Sequence, residues 1–120
     1  MAHGLHPHTL QESGLAAALQ ALAEGEPRLV IAELPAERAS TAAEFAAYQV
    51  VAQTLRRVLE GDVEVRGRRD GDQLVVEVQA EREPPSVTAL EDRIGALDGR
   101  LTVARDGACT TLRAELPCGS

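Results

Sequence analysis

Between residues 48 and 78 the chain reads "YQVVAQTLRRVLEGDVEVRGRRDGDQLVVEV", and its apolar period changes partway. Ala47, Val51, Leu55 and Val58 recur at helical spacing, on one stripe of a helix predicted over 42–60 and ended by Gly61. From Val63 the period is two. Val63 and Val65 share one face, Glu64 and Arg66 the other, and after "DGD" (70–72), a tight hairpin signal, Leu74, Val76 and Val78 alternate inward. A helix with one apolar stripe, followed at once by a hairpin with one apolar face, is best covered by laying one on the other.

The rest of the chain extends that unit. "LQESGLAAALQALAEG" places Leu15, Leu19 and Leu22 at helical spacing, with Thr9 or Ser13 as candidate caps and Gly25 and Pro27 as the stop. "RLVIAEL" (28–34) reads as a strand. "PAERAST" is a loop in which Ser40 or Thr41 caps the next helix, with Glu44 in the capping-box position for Thr41. "EREPPS" cannot continue a sheet because Pro84 and Pro85 lack donors. "SVTALEDRIGALDG" is a third helix, with Val87, Leu90, Ile94 and Leu97 on one face and Gly99 as its C-cap. "RLTVARD", the turn "GAC" and "TTLRAELP" close with a hairpin whose Leu101, Val103, Leu112, Ala114 and Leu116 point inward. The order is α-β-α-β-β-α-β-β. Glu64, Arg66, Arg68, Glu77, Gln79, Thr102, Arg113 and Glu115 occupy the other face of the sheet. One wet face predicts an α/β fold: a two-layer sandwich, with a mixed five-stranded sheet and about three helices on one face. The expected organisation is a leader over 1–9, one domain over 10–117 and a short tail, 118–120.

Composition narrows the function classes. The net charge is −7, which argues against nucleic acid. The basic run "RGRRD" (66–70) lies on a strand and turn and reads as a solvated face. No apolar run approaches a membrane span, and "MAHGLHPHTL" lacks the pattern of a signal peptide, so a cytoplasmic chain without membrane contact is expected. Aromatics are only Phe45 and Tyr48, so the core is Leu, Val and Ala. Cys109 and Cys118 fall near opposite ends of one strand, so both are expected reduced. His3, His6 and His8 could chelate a metal loosely, but no further ligand is placed near them. There is no Cys-x-x-Cys pair, no nucleophile elbow followed by a histidine, and no glycine-rich phosphate loop.

Taken together, the pieces resemble the ATP-binding domain of two-component sensor histidine kinases of the nitrate-sensor type. "GLHPHTLQESGLAAALQALAEGEP" is similar to the segment joining that family's dimerisation helices to its ATP domain. "AAEFAAYQVVAQTLRRVLEG" resembles its N-box helix, "VEVRGRRDGDQLVVEV" its central hairpin, "LEDRIGALDGRLTV" the helix and strand after the ATP lid, and "TTLRAELP" its last strand. The likeness spans nearly all of residues 4–117 and implies the Bergerat-type ATPase fold.

The residues expected to touch nucleotide depart from the family. Its N-box helix carries a Glu, which acts as base or positions water, and four residues later a magnesium-binding Asn. Here those positions hold Gln53 and Arg57. Gln53 cannot accept a proton, and Arg57 repels a cation. The family's Asp-x-Gly-x-Gly aligns with Ala80, Arg82 and Pro84, which lack the adenine acceptor and the open backbone. Only "PSVTA" stands where the glycine-rich lid should be. His6 matches the linker and not the phosphate-accepting histidine, which in the family lies in an upstream helix. The resemblance with these departures implies a degenerate ATPase-like domain, a pseudokinase module. It is expected to have no cofactor and to act through a protein partner: a kinase dimerisation region, an active kinase or a response regulator. The alternatives are a divergent domain that still binds ATP and Mg2+ in histidine phosphotransfer, and one that holds another small ligand in the old pocket. Whether the chain is part of a longer sensor is open.

Overall fold

Among the described residues, five strands form one sheet: β1 (Leu29–Glu33), β2 (Val63–Asp70), β3 (Gln73–Ala80), β4 (Arg100–Asp106) and β5 (Cys109–Pro117), in the order β1-β2-β3-β5-β4. The computed structural model describes residues 7–35, 38–58, 61–81, 88–107 and 109–118, with side chains from Gly14 onward. β1 runs parallel to β2, and all other pairs are antiparallel. The sheet is therefore mixed. The parallel pair requires a crossover, which helix α2 (Thr41–Arg57) supplies between β1 and β2. Helices α1 (Pro7–Glu24) and α3 (Thr88–Gly95) complete the predicted order.

Val63, Val65, Leu74, Val76, Val78, Leu112, Ala114 and Leu116 are buried in one cluster with Leu15 and Leu19 of α1, Val50, Val51 and Leu55 of α2, and Ile94 of α3. This is the predicted two-layer arrangement, with the apolar strand positions facing the helices. Both hairpins turn tightly. Asp70 pairs with Gln73 around Gly71, whose φ of 62° suits glycine, and Asp106 pairs with Cys109. No disulfide joins the two cysteines.

The outer face carries a ladder of alternating charge. Arg66, Glu77 and Arg113 lie in register across β2, β3 and β5. Arg113 reaches Glu77 at 3.2 Å and Glu115 at 3.1 Å, and Arg66 reaches Glu64 at 2.7 Å. Such half-exposed pairs add little stability but neutralise the face locally. Val75 shares this face yet is 1% exposed. It lies in register between Arg68 and Glu115, so long side chains flank it.

Several local expectations shift. α1 begins at Pro7, within the stretch read as a leader, and Thr9 and Ser13 lie inside it and not at its start. The helix is broken at Gly14 (φ 90°, ψ 175°). α2 stops at Arg57, and Val58 serves as its C-cap, with its N–H on the Thr54 carbonyl at 2.8 Å. Beyond α3, the left-handed residue is Asp98 (φ 62°) and not Gly99. Gly99 is needed for another reason: a Cβ there would lie 2.6 Å from the Glu115 carbonyl oxygen and 2.9 Å from Ile94. Val87 lies outside the described residues.

Gly99→Ala is therefore expected to lower stability in urea unfolding by about 2 kcal/mol, since the backbone of β5 must shift. Gly95→Ala, with nothing within 4 Å, is expected to be neutral or stabilising in the same measurement.

Candidate functional site

α2 carries the candidate positions, so what fixes α2 fixes them. Ser40 caps its N-terminus, accepting the Ala43 N–H at 3.1 Å. Because the cap is Ser40 and Thr41 is already helical, Glu44 stands one residue too far along to close a capping box. It is 3% exposed, and its carboxylate accepts the Ala39 N–H at 3.2 Å and three bonds from Arg38 at 3.3, 3.0 and 3.1 Å. A buried carboxylate needs such partners. The hydrogen bond and charge of Glu44 hold the Arg38 guanidinium above its ordinary range.

The other end of α2 is held by Arg28, at the start of β1. Its guanidinium donates to the Val58 carbonyl and to the Leu55 carbonyl at 3.1 Å, while Nε pairs with Glu26 at 3.2 Å. These are last-turn carbonyls with no partner inside the helix. Arg69 falls on the helix side of β2, not in the solvated run. It donates to the Arg38 carbonyl at 2.7 Å and to the Gly71 carbonyl at 3.2 Å, tying the loop before α2 to the β2–β3 turn. Arg28, Arg38 and Arg69 were not singled out by sequence. Glu44 did carry a signal: an acidic residue among buried helix positions requires a cation nearby.

Gln53 and Arg57 lie one turn apart on the C-terminal half of α2. Gln53 is half-buried, and its amide donates to Gln49 at 3.5 Å. Arg57 is exposed and makes no hydrogen bond or ion pair to the described residues. Ala80 ends β3, in register with Val63 and Thr110. It is 4% exposed and belongs to the core cluster, so it is more than a blank ligand position. α2 packs across β3, which brings these two elements together. Arg82 and Pro84 lie outside the described residues. An amide, a guanidinium and a methyl group offer neither a proton acceptor at neutral pH nor an anionic metal ligand. Among the described residues no cluster of His, Cys, Asp and Glu could hold a metal ion. A shallow 210 Å3 concavity on the outer face is lined by Glu64, Arg66, Glu77, Gln79 and Thr111. Its charged groups are already engaged in the ladder.

The fold is that of the catalytic, ATP-binding domains of histidine kinases. It is similar to the Acinetobacter baumannii histidine kinase AdeS, at 10% identity and a TM-score of 0.63, over 88% of this chain and 64% of that one. It is similar to the histidine kinase domain of the blue-light-activated histidine kinase of Erythrobacter litoralis, at 17% identity and a TM-score of 0.59, over 87% of this chain and 65% of that one. The ATP-binding domain of PrrB from Mycobacterium tuberculosis matches at 12% identity and a TM-score of 0.57, over 85% of this chain and 89% of that one. The chain thus spans just under two thirds of the first two. No family model and no curated protein matches the sequence. Among the described residues no helix is long and apolar enough to cross a membrane.

Arg28→Ala removes the cap on α2 and is expected to cost about 1–2 kcal/mol in denaturant unfolding, at the level of a charged hydrogen-bond donor lost from part-buried carbonyls. Ala80→Asp restores the family's acceptor but buries a carboxylate among apolar residues. It is expected to cost at least about 2 kcal/mol in the same assay.

Proposed function

We propose that this chain is a degenerate histidine-kinase ATPase-like domain of the nitrate-sensor type. On this reading it does not bind ATP, carries no cofactor, and serves two-component signalling in the cytoplasm as a structural or protein-interaction module. Its partner is a kinase dimerisation region, an active kinase or a response regulator. The observation that carries the reading is Arg57. The helix position that matches the family's magnesium ligand is an exposed guanidinium, one turn from an amide in place of the base. A cation there opposes both roles a metal site needs, attraction and coordination. Ala80 adds that the strand end matching the adenine acceptor offers only a methyl group.

Thermal unfolding with and without millimolar ATP and magnesium tests this. A ligand at about 100 times its Kd stabilises the folded state by about 2.7 kcal/mol, a shift of several degrees in a domain this size. No shift is expected beyond that produced by a matched non-nucleotide salt. A specific stabilisation by ATP would instead support the divergent kinase-domain reading and overturn this one.

A further inference from the structure

We infer that Arg38, held by Glu44, is a positioning residue that sets the direction in which residues 7–13 leave the domain. Three observations meet at one place. First, α1 is two helical pieces joined at Gly14, whose φ of 90° and ψ of 175° are outside helical space. Second, Arg38 lies flat against that break. A Cβ at Gly14 would sit 2.7 Å from its Nε and 2.8 Å from its Cδ. Third, Arg38 is itself fixed: its guanidinium bonds the buried Glu44, and its carbonyl accepts from Arg69.

The two sides of the break differ. Leu15, Ala18 and Leu19 are at most 1% exposed, so the second piece of α1 is part of the core. The first piece leaves from that anchor at an angle set by Gly14, and the arginine stem occupies the space next to the joint. Seven helical residues span about 10 Å. A small rotation at Gly14 therefore moves the far end of the piece by several ångströms. Because the strut runs from Gly14 through Arg38 to Glu44, it links the direction of residues 7–13 to the first turn of α2. A force applied before Gly14 is felt at the N-terminus of that helix.

The plainer account is that Arg38 only neutralises the buried carboxylate of Glu44. Losing such a partner changes stability. A strut also changes the direction of the arm, and that difference is measurable. The inference goes beyond the proposed function and holds whether or not the domain binds nucleotide.

Spin labels on Gln11→Cys in the arm and Thr102→Cys on exposed β4 would be placed in the full chain with Cys109→Ser and Cys118→Ala, and their separation read by pulsed electron resonance. The comparison is with Arg38→Met/Glu44→Gln. Methionine keeps much of the stem without the guanidinium, and glutamine avoids a buried unpaired carboxylate. The parent should give a narrow distribution. The double variant should give a broader one, displaced by up to about the 10 Å arm length, while its unfolding remains cooperative. Gly14→Ala should also displace the distribution, since a φ of 90° strains alanine and its Cβ must push Arg38 aside. Distributions that match the parent in the double variant would overturn the inference. If the double variant does not fold, an unchanged distribution in Gly14→Ala overturns it equally.

Discussion

The guanidinium groups of Arg28 and Arg38 hold the opposite ends of α2, and they come from the two ends of the chain segment that contains β1. Arg28 covers carbonyls of the last turn, and Arg38 neutralises the buried carboxylate of the first. The last turn of a helix leaves carbonyls unsatisfied, and here Arg28, just before β1, donates to two of them, while Ser40 accepts at the first turn. α2 is also the crossover of the only parallel strand pair among the described residues. Its placement decides where β2 begins relative to β1, and β2 templates β3 and then β5. The core depends on the same placement, because Val50, Val51, Thr54 and Leu55 face the sheet only while α2 lies in this one orientation.

What could be read from sequence was what repeats. The period of two in β2, β3 and β5 and the helical stripe of α2 specify an element, its buried face and its partner layer. Position along a helix also places Gln53 and Arg57 together without any knowledge of tertiary contacts. What could not be read depends on approach between distant segments. Gly99 looked like a helix stop, but its constraint is the passing backbone of β5. Glu44 looked like half of a capping box, but its partner precedes the helix. Strand alternation puts Val75 on the outward face, yet it is buried there between Arg68 and Glu115. The end of β3 could be located but the burial of Ala80 could not, and Arg82 and Pro84 lie outside the described residues.

Under the proposed reading, the helix positions and the strand position behave differently. Gln53 and Arg57 stand apart from the buried stripe, so side chains there can change without disturbing the core. Ala80 belongs to the core and to the matched ligand position at once. Changing it in either direction alters packing as well as chemistry. The scaffold therefore tolerates changes of ligand chemistry on α2 more readily than at the end of β3.

The chain has no tryptophan and a single tyrosine, and Tyr48 is 7% exposed in the middle of α2. Near-ultraviolet optical signals thus come almost entirely from one ring seated in the helix that both arginines hold. Light absorbed at that wavelength interrogates the crossover and little else. Loosening confined to β4 or to the outer face would leave the spectrum unchanged, whereas a shift of α2 would be visible before the sheet came apart.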